Sequence, residues 1–236
     1  MKKGWAVVTG SAKGLGKELA LECARLGWNV AVHASKSLKE AHEVQSLCQK
    51  LGVSAQVITA DFTSKTDLDT FASQCKKLDG GVSLLINNVG VYHRGPSLST
   101  TYSEALEMFQ ANVLASLELT KQFQKTLKNI ISIGSAGVGY PHADTYAPIY
   151  HASKLALLMQ TRSLAKELLP LGIRVNMVSP GAMENSVDLK EGGLKLPMHR
   201  PVSFQEVVSV VRFLLSDEAR YITGQNIEVS GGFRLL

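Results

Sequence analysis

The apolar run Trp5-Ala6-Val7-Val8 leads straight into Thr9-Gly10-Ser11-Ala12-Lys13-Gly14-Leu15-Gly16, and the amphipathic stretch Leu15 to Leu26 continues from it. The run reads as a buried parallel strand and the stretch after it as a helix. Nothing else in the 236 residues limits the fold as strongly. Glycines in a strand-to-helix turn permit backbone angles that other residues resist, and they let the chain come close to a pyrophosphate. Unpaired amides and the dipole at the helix start favour an anion there. Strand, glycine turn and helix together predict a dinucleotide-type cradle, set against the plainer reading of an ordinary glycine-rich turn.

Strand candidates recur along the chain near Trp5–Thr9, Asn29–His33, Ser54–Thr59, Leu84–Asn87, Ile130–Ile133, Arg174–Val178 and Ile227–Val229, with helical patterns between them. Strands alternating with crossover helices predict an α/β fold, a Rossmann-type doubly wound parallel sheet of about seven strands with helices on both faces. The length suits one such domain over residues 1–236, without repeats or low-complexity tracts. Ligands of such sheets bind beyond the carboxyl ends of the strands, where the motifs fall. The one long irregular segment, Pro180 to Ser203, is rich in Gly and Pro. Connections of that length are usually functional or disordered.

A formal charge of +5 raises the question of nucleic acid, but the basic residues are spread along the chain without a stripe of interleaved aromatics. No nucleic-acid partner is expected, and the excess suits an anionic cofactor or substrate. Apolar stretches are broken by charges, and Lys2-Lys3 run directly into the first strand, so neither a signal peptide nor a membrane span is expected, and the cytoplasm is the expected location. Cys23, Cys48 and Cys75 are odd in number and fall in predicted helices, which suggests packing rather than disulfides or zinc. The six histidines lack ligand spacing, and His142 with His151 reads as loop and helix surface, so no metal is expected.

Tyr150 and Lys154 stand one helical turn apart, ahead of Leu155, Leu157, Leu158 and Met159, which continue a buried helix. A free phenol with a pKa of ~10 is a poor acid–base catalyst at neutral pH, and a neighbouring cation lowers that value toward the working range. The same spacing occurs by chance in many helices. Ser135 closes Ile130-Ile131-Ser132-Ile133-Gly134, at the carboxyl end of a central strand, where its hydroxyl can hold a carbonyl oxygen. Ser132 competes for that role but lies inside the strand. The glycine turn, Ser135 and the Tyr150/Lys154 pair together point to a nicotinamide-dependent oxidoreductase.

With these residues in hand, the chain resembles the short-chain dehydrogenases/reductases. The likeness includes the glycine turn, Asp61 after the third strand, Asn87-Asn88-Val89-Gly90 after the fourth, Asn112, Ser135, Tyr150, Lys154 and Pro180-Gly181, in the family's order over nearly the whole chain. Val89 stands where the family usually has Ala. The resemblance implies Asn112, Ser135, Tyr150 and Lys154 as the catalytic set, with Asn112 holding a water between lysine and solvent. Cofactor contacts are implied for Gly10, Ser11, Lys13, Gly14, Leu15, Gly16, Ser35, Lys36, Asp61, Asn87, Tyr150, Lys154, Gly181 and Met183. Asp61 would lie against the adenine, yet it equally fits a turn or cap residue. Asn87 would hold the adenosine side, or simply bond neighbouring backbone. Asn112, in a helical pattern from Ser103 to Lys128, also suits a kink or interface. Asn185 replaces a Thr common in relatives. Residues 180–203 are implied as a lid, Gly137 to Ala147 as an inserted loop beside the substrate, and the assembly as a homotetramer through the helices at Ser103–Lys128 and Tyr150–Leu169.

Versions that use NAD usually carry an acidic residue at the end of the second strand. Here His33-Ala34-Ser35-Lys36-Ser37 has none, and Ser35 and Lys36 offer donors and charge to a ribose phosphate. Lys13 adds a second cation, so NADP(H) is the expected cofactor, although Lys36 also suits the start of a solvated helix.

The small-molecule substrate divides two ways. The His33–Ser37 segment, Tyr92 and Tyr221-Ile222-Thr223-Gly224 look like the pteridine reductase branch, with Tyr92 placed to stack on a flat heterocycle beside Ser135 and Tyr150. The unmodified Ser-Tyr-Lys set favours instead a 3-oxoacyl-thioester reductase. A cofactor-sensing protein without chemistry, on the same fold, is the third reading.

Overall fold

The computed structural model describes residues 3–140, 142–186, 189 and 198–233. Seven parallel strands form one sheet in the order β3-β2-β1-β4-β5-β6-β7. They are β1 (Trp5–Val8), β2 (Asn29–Ala34), β3 (Ala55–Thr59), β4 (Val82–Asn87), β5 (Asn129–Ile133), β6 (Arg174–Pro180) and β7 (Asn226–Val229). Each expected strand is present within about two residues of its predicted bounds. Every residue of β1 is buried, as a strand covered on both faces requires, whereas β3 at one edge mixes buried, half-buried and exposed residues.

One face carries α1 (Gly14–Arg25) and α2 (Leu38–Lys50), the other α3 (Lys65–Lys76). After β4 come α4 (Tyr102–Phe109) and α5 (Ala115–Phe123); α6 (Pro148–Leu168) follows β5 and α7 (Phe204–Leu215) precedes β7. One apolar layer joins α1, α2 and α7 to the sheet through Leu19, Val44, Val208 and Val211. The other joins α3, α5 and α6 through Phe71, Leu119, Leu164 and Leu168. Complete burial of such side chains contributes roughly 1.5–3 kcal/mol each. Cys23, Cys48 and Cys75 all pack inside these layers as free thiols, with burial pushing Cys48 up to about 11 and Cys75 up to about 12.

After β3 the chain crosses back to the other side of β1 to form β4, so the strand order reverses there and a crevice opens at the carboxyl ends of these two parallel strands. Reciprocal caps start two of the helices beside it. Thr101 and Glu104 satisfy the first amides of α4, and Ser203 and Glu206 those of α7.

The expected continuous helix from Ser103 to Lys128 is corrected. It is broken by a π-helical turn at Gln110–Leu114, and α5 ends at Phe123. At the far end Thr126 Oγ1 donates to the Val82 carbonyl and the Lys128 amide to the Ser83 carbonyl, drawing the chain into β5 before another helical turn can form.

Candidate active site

The glycine turn is built from residues far apart in sequence. Gly10 has φ +64°, and Gly14 φ +54°, both in the region that side chains disfavour. A Cβ on Gly16 would collide with the Gly10 carbonyl oxygen and lie 2.6 Å from Asn88 Nδ2, so only glycine lets α1 start this close to the turn. Asn88 Nδ2 donates to the carbonyls of Thr9 and Gly10 at 2.9 and 3.2 Å, tying the β4 loop to the turn. Ser11 is tied to β2, its amide donating to the His33 carbonyl and its hydroxyl accepting from the His33 amide. The Gly10 amide donates to His33 Nδ1 at 2.8 Å. The amides of the first turn of α1, Gly14, Leu15 and Gly16, have no acceptor within the helix and can receive an anion.

Lys13 stands immediately before α1 with an exposed side chain that makes no capping bond, and its ammonium lies 2.8 Å from Glu40 Oε1 on α2. The hydrogen bond from Lys13 holds the Glu40 carboxyl below its usual range. Ser35 and Lys36 are exposed at the end of β2, on the same side of the crevice. Sequence reasoning found Lys13 and missed Glu40, which no local pattern marks. Asp61 accepts from the Thr63 amide at 3.0 Å and its hydroxyl at 2.7 Å, which holds the carboxyl below its usual range. It forms the turn that the simpler reading anticipates, at the carboxyl end of β3. Asn87 is the buried last residue of β4, level with Ser132.

Across the crevice, α6 carries Tyr150 and Lys154. Lys154 is buried, its Nζ donates to the Ile133 carbonyl at 2.9 Å, and it lies 5.8 Å from the centre of the Tyr150 ring. Burial pushes its pKa down to about 8. Tyr92 meets the Tyr150 ring edge to face, 4.7 Å between centres at 82°. Ser135 is half-buried just past β5, whereas Ser132 is 3% exposed and enclosed within the sheet, so of the two serines only Ser135 lies beyond the strand end.

Asn112 occupies the π-helical turn, a feature that periodicity does not reveal. Its Oδ1 accepts from the Val91 amide at 2.7 Å, and its Nδ2 donates to the Val91 carbonyl at 3.0 Å and Ser153 Oγ at 2.9 Å. The amide is thus spent on clamping the β4 loop to α6. A Cβ on Gly90 would lie 3.4 Å from Lys154 Nζ and 3.8 Å from Asn112 Oδ1, so a glycine there keeps lysine and asparagine close together.

The loop at 137–147 packs beside Tyr150 and the β4 loop. Tyr146 accepts from Arg94 Nη1 at its hydroxyl and from the Gly95 amide at its carbonyl, 2.9 and 2.8 Å. Asp144 pairs with His151, the residue after Tyr150, so this imidazole is half-buried and engaged rather than a surface group as expected. His142 does lie exposed, its ring 6.1 Å from that of His151. Loop and helix enclose a cavity of about 190 Å³ lined by Val138, Tyr140, Asp144, His151 and Leu155, among others.

Of the expected lid, residues 187, 188 and 190–197 lie outside the described residues. The two stems that are described meet in a parallel bridge between Met183 and Val202, with the Val202 amide donating to the Ala182 carbonyl at 2.9 Å. Gly181 donates its amide to Val229, and a Cβ there would crowd Ser230 Cα at 3.2 Å. Asn185 reaches the turn itself, since its Nδ2 is 3.2 Å from where a Gly14 Cβ would stand.

A family model described as enoyl-(acyl carrier protein) reductase matches residues 10–234. The chain is 30% identical over 237 residues to the uncharacterized oxidoreductase YhxC of Bacillus subtilis, covering 96% of this chain and 83% of that protein. It is 30% identical over 242 residues to the 3-oxoacyl-[acyl-carrier-protein] reductase FabG of Staphylococcus aureus, covering 96% of each. Among solved structures, the angucycline C-6 ketoreductase LanV with bound NADP superposes with a TM-score of 0.90 at 27% identity, covering 99% of this chain and 96% of that one.

Proposed function

Since the chain belongs to the short-chain dehydrogenase/reductase family, we propose that it is an NADP(H)-dependent oxidoreductase that reduces a ketone to an alcohol. The observation that carries this reading is the buried Lys154 ammonium, 5.8 Å from the Tyr150 ring. A buried lysine with no carboxylate in reach among the described residues is costly, and a neighbouring phenol that gives up its proton accounts for its place here.

The first turn of α1 would hold the pyrophosphate, Lys13, Ser35 and Lys36 the ribose phosphate, and Asp61 and Asn87 the adenosine side. Lys154, Gly181 and Met183 would meet the nicotinamide half. When bound, the cofactor would supply the hydride for the carbonyl carbon. Ser135 holds the carbonyl oxygen, and Tyr150 donates its hydroxyl proton to that oxygen as the alcohol forms. Lys154 stabilises the phenolate left behind, and Asn112 keeps the β4 loop and α6 in the register that this transfer needs.

A ketone carried on a thioester is supported by the likeness to FabG, and ketones more broadly by the likeness to LanV. Pterin reduction is the second reading, and the edge-to-face contact of Tyr92 with Tyr150 favours it, because that ring can wall a flat heterocycle. The test is consumption of NADPH by the purified protein with an acetoacetyl thioester and with dihydrobiopterin, followed by the loss of reduced-nicotinamide absorbance. Turnover of the thioester alone supports the first reading; turnover of the pterin alone replaces it with the second. A cofactor sensor would bind NADPH and turn over neither.

The remaining assignments are also proposals. Among the described residues no helix is long and apolar enough to cross a membrane, and the cytoplasm is the proposed location. The segment around 180–203 is proposed to cover the site. Leu98, Tyr102, Leu106 and Leu114 around α4, and Met159 on α6, are exposed, which supports a homotetramer formed through these helices. Light scattering of the purified protein tests it, a monomer being the result against it.

A further inference from the structure

His33 is 2% exposed at the end of β2, yet neither charge nor catalysis accounts for it. Its ring lies flat on Phe62, 4.2 Å between centres, and meets the edge of Phe71 at 5.0 Å. Nδ1 lies 2.8 Å from the Gly10 amide and Nε2 3.1 Å from the Ala60 carbonyl. An amide N–H only donates and a carbonyl only accepts, so both bonds form together in one state alone: the neutral ring with its proton on Nε2. The His33 backbone adds two bonds to Ser11. One residue thus joins the glycine turn to the ends of β2 and β3, where Asp61 begins its own turn.

We propose that His33 is a positioning residue of the cofactor site, its Nε2–H imidazole setting the conformation of the Gly10 turn and so the direction of the amides at the start of α1. Gly10, at φ +64°, is held in this conformation with its amide turned inward onto the ring. Histidine supplies an acceptor at one ring nitrogen, a donor at the other and a flat face for Phe62. Burial, which pushes the His33 pKa down to about 4, keeps the required neutral form at physiological pH. The inference rests on the reading of this turn as the dinucleotide cradle.

Two near-isosteric substitutions separate the edges of the ring. In His33→Asn the side-chain oxygen stands about where Nδ1 is, which keeps the acceptor for Gly10 and loses the donor to Ala60. In His33→Gln the amide nitrogen stands about where Nε2 is, with the opposite effect. His33→Phe keeps the stacking and loses both. Calorimetric titration with NADPH and with NADH, melting temperatures, and kcat at saturating NADPH would be measured for all three and for the unaltered protein.

The expected result is that H33Q and H33F bind both nucleotides roughly tenfold more weakly. H33N should stay within about threefold of the unaltered protein, and kcat should hold in all of them. H33N and H33Q should melt at similar temperatures, since each loses one buried bond. Equal nucleotide affinities for H33N and H33Q overturn the proposal, as does a loss of kcat with affinity unchanged. Should H33F fail to fold, the Asn and Gln pair decides alone. If the unaltered protein binds neither nucleotide, the reading of the cradle fails instead, and the titration of that protein by itself shows this.

Discussion

Lys13 and Lys154 stand on either side of the crevice between β1 and β4, and their surroundings are opposite. Lys13 keeps its ammonium in water, 61% exposed, with Glu40 as its partner. Exposed pairs of this kind contribute little to stability, so Lys13 is free to exchange one anion for another. Lys154 has no carboxylate in its hydrogen-bonding reach among the described residues, only the Ile133 carbonyl, and its pKa falls from 10.5 to about 8. A shift of that size corresponds to about 3 kcal/mol against the charged form. On the proposed function, the contrast assigns the same side chain to recognition where water screens it and to chemistry where water is excluded.

The largest effect should come from the buried side. Tyr150→Phe is expected to lower kcat by roughly a hundredfold or more while the NADPH dissociation constant stays unchanged. Unchanged turnover would remove Tyr150 from the reaction and leave the contrast without its chemical half.

Lys154→Met should also abolish most turnover, yet it should not destabilise the protein. The folded pKa lies below the unfolded one, so the unfolded chain holds the proton more tightly. Stability is therefore lost as pH falls from 10.5 to about 8, and the full cost is present at neutral pH. Removing the ammonium recovers about 3 kcal/mol and leaves the Ile133 carbonyl unpaired at about 1–2 kcal/mol, so the melting temperature should hold or rise slightly. A large drop in melting temperature would show that Lys154 is structural.

On the exposed side, replacing Lys13 and Lys36 together should raise the Michaelis constant for NADPH by roughly tenfold and leave that for NADH nearly unchanged. Equal changes for the two cofactors would break the assignment of these residues to the ribose phosphate. The smallest effect sharpens the same point. Glu40→Gln frees Lys13 and should lower the NADPH Michaelis constant about twofold. A rise would show that Glu40 orients Lys13 rather than competing for it.

Between these extremes lies the acid limb of stability. His33 titrates near 4 when folded and 6.5 when unfolded, so stability is complete above about 6.5 and declines by up to about 3 kcal/mol as pH falls to about 4. The neighbouring Asp61 carboxylate opposes this shift without reversing it. Urea melts across that range should show the slope in the unaltered protein and lose it in H33F.

The order of strands and helices, the glycine turn and the spacing of Tyr150 from Lys154 were all legible in the linear chain, because each rests on periodicity or turn chemistry within a few residues. The same local signals placed Ser135 past the end of β5 and the three cysteines in helices. They missed the π-helical turn, because one extra residue in a helix hardly changes the apolar pattern, and what holds it is the bond pair between Asn112 and Val91. The Lys13–Glu40 pair, the engagement of His151 by Asp144 and the commitment of Ser11 to β2 were likewise invisible in advance.

By itself, then, the sequence determined the architecture, the family and the ends of strands at which chemistry-bearing residues collect. Only the tertiary structure decided which donors and acceptors those residues have left to offer, because hydrogen-bond partners and burial depend on segments brought together by the sheet. His33 is the clearest instance: in the chain it is one polar residue closing a strand, and in the fold its two nitrogens are committed to residues 23 and 27 positions away.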